Sequence, residues 1–352
     1  MGAEVTEIEP AGDAALVPAT TPADFQVSPE TLEMIARSDA DNTVTAYTKD
    51  WAKFEAWCAD RGRTPLPATA QTFAEYVRYL TETPTTRGTP PRPSTIDRAM
   101  GTIGRRHSDA GYPLDRRAAA KVYKTYKRDW AKAGNRKTKS TPAVVDAVKV
   151  MVDTCDVGTL TGIRDRAVIL LGFAIMARRS ELAELDIGDI TEHTEGIEVL
   201  IRVSKTDQEG KGITLAVPYL ENPLTCPVVA VQAWLAALQR RGVTSGPLFR
   251  RIDRHGHLGG TDDAAGRGGA RMTGQSIGTI VRRAATKAGL PNPDSYTGHS
   301  LRAGGATSAF EAGAPSSAVT GQGRWSEKSP TVQGYNRAVD RWKNNPMKGI
   351  GL

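Results

Sequence analysis

The sequence predicts a mainly helical protein of two domains, the second carrying a small β component. Three observations predict it. At 352 residues the chain exceeds what a single typical hydrophobic core organises. Apolar residues recur at three- and four-residue steps through most of its length, which is the helical period. Apolar alternation of period two is confined to one region around residues 197–217, which is the strand period.

An acidic stretch rich in Ala, Pro and Thr reads as a flexible tail through residue 26. Val44, Tyr47, Trp51, Phe54 and Cys58 then mark one face of a helix opening at Asp41 and ended by Gly62 and Pro65. Phe73, Val77 and Leu80 mark a second. Residues 81–95 are excluded from regular structure by their prolines, which remove donors and restrict their neighbours. Ile96, Met100 and Ile103 mark a third helix, and a fourth runs from about Leu114 to Ala133.

On the fourth helix Arg117, Lys121, Lys124 and Arg128 share one face, while Val122 and Tyr126 lie on another. In isolation such a charge run is a solvated face. Here Arg105 and Arg106 precede it and Arg136, Lys137 and Lys139 follow, giving a continuous basic band suited to phosphate contacts. The expected organisation is a tail over 1–26, a helical domain over 27–134 and a short basic linker over 135–141. Pro142 follows at a favoured helix start. The second domain covers 142–337, with a C-terminal segment over 338–352. Two domains on a short basic linker suggest a clamp around a duplex.

In the second domain a long apolar helix over about 162–177 leads into Ala177-Arg178-Arg179-Ser180-Glu181-Leu182. Ile197, Val199, Ile201 and Val203 alternate, as do Ile213, Leu215 and Val217, so a two-stranded hairpin is expected. Its polar tip holds Lys205 and Lys211. A helix over 228–238 and a short hairpin within 248–260 follow. The Gly-rich stretch 259–269 reads as a surface loop, because it lacks the strand-to-helix setting of a phosphate-binding P-loop. The remainder is helical: 276–288, which carries Arg282 and Arg283 as candidate phosphate contacts, a segment from His299, a short one before Gly323, and one around Tyr335.

Composition narrows the function class. Lys and Arg total 46 against 39 Asp and Glu, a net charge of +7, which favours a polyanionic partner. Cys58, Cys155 and Cys226 lack metal-ligand spacing and read as reduced thiols of a cytoplasmic protein. No stretch approaches the roughly 18 apolar residues that span a bilayer, so no membrane partner is expected. The N-terminus lacks the basic start and apolar run of a signal peptide.

Five stations then follow in order: Arg178, Lys205 on the hairpin, His299 and Arg302 in Gly298-His299-Ser300-Leu301-Arg302, Trp325 in Gly323-Arg324-Trp325-Ser326, and Tyr335. Each alone is ordinarily structural. Together they supply what breaking a phosphodiester requires. Arginine forks clamp phosphoryl oxygens, a lysine of movable pKa donates a proton to the leaving oxygen, and a tyrosine serves as nucleophile once a base takes its proton.

On these motifs the chain resembles the tyrosine recombinases of the phage integrase superfamily, over about residues 27–345 and most strongly in the second half. The resemblance implies a SAM-like helical core-binding domain and an α+β catalytic domain forming a C-shaped clamp on DNA. It implies Tyr335 as nucleophile forming a 3′-phosphotyrosine, Arg178 and Arg302 on the phosphate, Lys205 as proton donor and His299 acting on the nucleophile's proton. Glu181 takes the family's orienting acidic position. Trp325 takes the penultimate station, with Arg324 filling it if the turn shifts by one residue. No cofactor is implied, neither metal nor ATP. The implied partners are double-stranded DNA bearing a specific inverted-repeat site and three further copies of the chain, as a homotetramer on two sites. A catalytically silent DNA-binding protein of the same fold, and a type IB topoisomerase or telomere resolvase, are the competing readings. The complete catalytic set argues against the first, and the compact helical first domain against the second.

Overall fold

The computed structural model describes residues 21, 26–36, 41–86, 88–136, 140–202, 212–261, 269–326, 328–343, 345, 347–348 and 350. The chain divides into two compact units, 1–137 and 138–352.

The first unit is helical: α1 (Pro29–Ala36), α2 (Asp41–Asp60), α3 (Ala70–Glu82), α4 (Pro93–Asp109) and α5 (Arg117–Lys132). Trp51, Phe54, Trp57 and Cys58 of α2 meet Phe73, Tyr76 and Val77 of α3 and Ile96, Met100 and Ile103 of α4 in one apolar core. Val44, expected on that buried face, is 41% exposed, because the face enters the core only from Asp50 and Trp51 onward. Thr69 caps α3 by accepting from the Thr72 N–H at 3.1 Å, and Pro93 opens α4, where its missing donor costs nothing. The proline-rich connection between them is held by α5, whose Tyr123 and Tyr126 hydroxyls donate to the carbonyls of Pro93 and Pro91 at 3.0 and 2.6 Å.

His107 is wholly buried and stitches this unit together. A backbone N–H can only donate, so Nε2 accepts from Ala68 at 2.8 Å, and the hydrogen on Nδ1 goes to the Ile103 carbonyl at 2.8 Å. Replacing His107 by Leu orphans both backbone groups and is expected to cost about 1–3 kcal/mol by urea unfolding at unchanged m-value. A loss below about 0.5 kcal/mol would show that these groups find other partners.

The second unit comprises α6 (Val145–Asp153), α7 (Leu160–Ala174), α8 (Arg179–Glu184), strands β1 (Ile190–His193), β2 (Gly196–Ile201) and β3 (Ile213–Pro218), then α9 (Pro227–Gln239), α10 (Gly274–Lys287), α11 (Gly298–Glu311), α12 (Ser316–Gly323) and α13 (Pro330–Lys343). The sheet is antiparallel in the order β1-β2-β3, with Ile197 opposite Val217 and Val199 opposite Leu215. These four and Ile201 are buried, so the expected hairpin is present with its apolar face inward. Strand β1 was not expected. It is a short edge with only Ile190 half-buried, too brief for alternation to register. The expected hairpin within 248–260 reduces to a single bridge between Ile252 and Leu258.

The core of this unit gathers α6, α7, α9, α10 and the sheet around Trp234, whose indole N–H donates to the Leu248 carbonyl at 2.7 Å. Helix α11 approaches closely because it carries glycines at the contact. A Cβ on Gly304 would lie 1.9 Å from the Ala143 carbonyl oxygen, and one on Gly305 would lie 2.6 Å from that of Phe173. Cys58 and Cys226 are buried and Cys155 half-buried, all as free thiols. Burial pushes the thiols of Cys58 and Cys155 up to about 11. Among the described residues no helix is long and apolar enough to cross a membrane.

Candidate active site

The site is assembled at one end of α11 and the turn before α8. Thr297 caps α11, accepting from the His299 N–H at 3.2 Å, and Ser300 returns the bond to the Thr297 N–H at 2.9 Å. This capping box sets the first turn, so that His299 keeps accessible surface while Arg302, one turn on, points inward and is 2% exposed. Two of the Arg302 donors bond the carbonyls of Met176 and Gly323.

Those carbonyls belong to two unusual turns. Met176 has φ 46° and Arg324 has φ 56°, both in the left-handed region that non-glycine residues seldom occupy. The first turn ends α7 and delivers Arg178 as the residue before α8. Its backbone N–H donates to Glu181 Oε2 at 2.8 Å and its Nη1 to Glu181 Oε1 at 2.5 Å. Arg179 is exposed and its stem covers Gly298 and Gly274, so of the adjacent pair Arg178 is the one facing Glu181. The second turn ends α12 and separates the two residues that competed for the penultimate position. Arg324 is 4% exposed and bonds Glu181 Oε2 at 2.6 Å. Trp325 folds back over Gly323, with the Arg302 guanidinium 3.9 Å from its ring centroid.

Helix α13 begins on Pro330, which sits at a first helical position rather than interrupting the segment. Val332 is fully buried and seats the helix on Met176, Ala306, Phe310 and Val319. Three residues on, the half-buried Tyr335 lies edge-on to Trp325 at 5.9 Å, its hydroxyl 3.2 Å from His299 Nε2. Lys205 falls in 203–211, outside the described residues.

Among the described residues three guanidinium groups, Arg178, Arg302 and Arg324, surround the carboxylate of Glu181, and the charge of Arg302 reaches Tyr335. Burial works against the Glu181 charge, but Arg324 and then Arg178 outweigh it and hold its carboxyl below the ordinary value. Burial, followed by the charge of Arg178, brings the Arg302 guanidinium down to about 9. Burial and the charges of Arg302 and Arg178 likewise hold His299 below 6.5. Burial raises the Tyr335 phenol, with Arg302 pulling the other way. Near neutrality the site therefore presents a neutral imidazole, a protonated phenol and an excess of cationic donors that an anion would relieve. Among the described residues no group of three or more His, Cys, Asp or Glu is placed to hold a metal ion.

The expected basic band is dispersed over several elements. Lys121, Lys124 and Arg128 are exposed on α5, whose opposite side packs Val122, Tyr123 and Tyr126 on the core. Arg117 on the same face bonds Asp115 at 2.7 Å. Arg105 lies 3.7 Å from Asp109 and Arg106 stacks over Trp51, while Arg136 is exposed. Lys137 and Lys139 lie outside the described residues. On α10, Arg283 bonds the buried Asp165, which Arg164 also holds, and Arg282 lies 3.9 Å from Asp294.

Comparison with known proteins defines the class of this chain. The profile of the phage integrase family matches residues 144–341, more than half of the 352-residue chain. The chain belongs to the phage integrase family and is a tyrosine-type site-specific recombinase. Among its relatives is an integrase/recombinase xerD homolog of Selenomonas ruminantium, 32% identical over 282 residues, covering 79% of this chain and 76% of the relative. Recombinase cre of Escherichia phage P1 is 24% identical over 307 residues, covering 83% and 82%. The fold is similar to that of XerH site-specific recombinase bound to difH substrate, with TM-score 0.56, 15% identity and coverage of 90% and 84%. It is also similar to lambda integrase bound to a COC′ core site, with TM-score 0.53, 14% identity and coverage of 87% and 92%.

Proposed function

We propose that this chain cleaves and rejoins duplex DNA at a specific site through a 3′-phosphotyrosyl intermediate. The observation that carries the reading is the Tyr335 hydroxyl 3.2 Å from His299 Nε2 and within the field of the buried Arg302, with Arg178 acting on His299. Tyr335 Oη attacks the scissile phosphorus in line and passes its proton to His299. The bond to the 5′ oxygen breaks, and that oxygen takes a proton, on this reading from Lys205. Arg178 and Arg302 balance charge on the non-bridging oxygens, while Trp325 packs beside the phosphate. The 5′-hydroxyl of a partner strand then attacks the phosphotyrosine and returns the phenol. One phosphodiester replaces another, so the exchange needs no input of energy. Its setting is chromosomal, plasmid or phage DNA in the cytoplasm. The test is to incubate the protein with duplexes from its own flanking DNA, trim the product with nuclease and map the adduct. A nucleotide on Tyr335 with a free 5′-hydroxyl on the other strand end is expected; an adduct elsewhere would sink the assignment.

The base role of His299 has a pH signature. Its pKa is held below the ordinary 6.5, so the neutral base predominates at neutral pH and is lost as pH falls through that lowered value. The second-order cleavage rate at low protein concentration, which reports the free enzyme, should be level through neutrality and decline with a midpoint below 6.5. A midpoint above 6.5 would contradict the role.

Exchanging both strands of two sites takes four tyrosines, and the assembly we propose is a homotetramer on two inverted-repeat sites. Support comes from the end of the chain. Val339 packs on the apolar cluster that seats α13, while Met347 and Ile350 are 61% and 51% exposed. Deleting residues 344–352, which spares α13, should leave single-site binding intact and abolish the two-duplex complex in gel-shift assays. Retained synapsis would remove this segment from the interface.

A further inference from the structure

Arg324 was a candidate for the phosphate-facing position beside Trp325, yet its guanidinium is turned away from that task. It is 4% exposed, and Nη2 reaches Glu181 Oε2 at 2.6 Å and the Met176 carbonyl at 3.4 Å. Nη1 reaches the carbonyls of Ile175 at 3.0 Å and Gln322 at 2.9 Å. Every one of these acceptors belongs to a segment carrying another station. Ile175 and Met176 form the left-handed turn that delivers Arg178. Glu181 holds Arg178 through both its side chain and its backbone N–H. Gln322 and Gly323 end α12, and the Gly323 carbonyl accepts from Arg302. Met176 is shared, its carbonyl taking donors from Arg302 and Arg324 alike.

We propose that Arg324 is a positioning residue of the strand-cleavage reaction, a planar four-way brace that sets Arg178 through Glu181 and Arg302 through their common carbonyl, without itself touching the phosphate. The left-handed backbone at Arg324 is part of the device. It reverses the chain after α12, so that consecutive residues point in opposite senses, Arg324 into the protein and Trp325 onto Arg302. A lysine keeps the charge but offers one compact ammonium in place of a fork, and cannot span Glu181 and two carbonyl-bearing turns together. The groups facing Glu181 would then be Arg178 and Arg302 with the brace gone, and the clamp arginines would lose their common reference. Small misplacements of this kind are costly to rate while leaving affinity nearly untouched.

This inference rests on the cleavage reading above, and the two fail separately. Absence of any Tyr335 adduct with the unaltered protein defeats that reading, whereas the behaviour of Arg324 variants bears on this one. Arg324→Lys and Arg324→Met are compared with the unaltered protein for duplex binding and for single-turnover cleavage of a suicide substrate at saturating protein. Binding within about twofold and a cleavage rate lower by at least about tenfold are expected for both. The distinguishing readout is a substrate whose scissile phosphate carries a methyl in place of one charged oxygen. The deficit of an Arg178→Ala variant, which loses a charge partner of the phosphate, should shrink on that neutral substrate. The deficit of the Arg324 variants, relayed through Glu181 to Arg178, should shrink in part with it. Cleavage by Arg324→Lys at the unaltered rate, or a deficit that persists in full on the neutral substrate, would overturn the proposal. So would a Glu181→Met/Arg324→Met double variant that regains both the melting midpoint and the cleavage rate, because the role would then be one of stability alone.

Discussion

Tyr335→Phe is expected to bind its DNA as the unaltered protein does and to form no covalent adduct, a loss on the order of 10⁴-fold or more in cleavage. The substitution removes one oxygen from a half-buried ring that keeps its edge contact with Trp325, and its helix stays seated by Val332. Nothing in the basic surface of α5 is disturbed. Binding should therefore retain the steep salt dependence of a phosphate-contacting protein, with a log–log slope of roughly −0.9 per phosphate neutralised. Replacing Lys121 and Lys124 by Gln in the same background should make the slope shallower. An adduct persisting in the phenylalanine variant would move the nucleophile elsewhere. A flat salt response would remove α5 from the DNA contact surface.

Arg302→Lys should lower the cleavage rate by about 10²–10³-fold with little change in DNA affinity, read in the same suicide-substrate assay. Arg302 is 2% exposed, and two of its donors are already committed to the carbonyls of Met176 and Gly323. Its plane lies against Trp325, which fixes the remaining edge of the guanidinium. An ammonium has no plane to stack and cannot keep two carbonyl bonds while presenting a donor to phosphate. Burial first and the charge of Arg178 second bring Arg302 down to about 9, so in the free site its cation is poorly solvated and repelled by its neighbour. On the proposed reading an anionic phosphate would offset both effects, most where charge builds up in the transition state. A lysine variant cleaving within about threefold of the unaltered protein would show that charge alone suffices there.

The family and the fold class were legible in residue types and their order. Gly-His-Ser-Leu-Arg could be recognised because the one-turn spacing from His299 to Arg302 is a local feature, and local features survive any tertiary arrangement. The same holds for the alternation of Ile197, Val199 and Ile201, which becomes the buried face of β2. Strand β1 escaped notice because an exposed edge strand carries no apolar alternation. His107 escaped for a different cause. A single histidine on an apolar helix face gives no sign that its partners are a backbone N–H thirty-nine residues away and a carbonyl in the previous turn.

Arg324 and Trp325 show where the boundary lies. The sequence by itself determined the class of protein and the helical character of both units. Those properties follow from composition, period and local spacing. It left two adjacent residues competing for one position, because adjacency specifies nothing about which way each side chain faces. Only the tertiary structure decided that, through a left-handed residue at the end of α12 and a buried carboxylate on α8 separated from it by 143 positions. A buried guanidinium must find acceptors where it is desolvated. The acceptors that Arg324 meets include Glu181, the turn before Arg178 and the Gln322 carbonyl, so Arg324 goes inward and Trp325 is left against Arg302 and Tyr335.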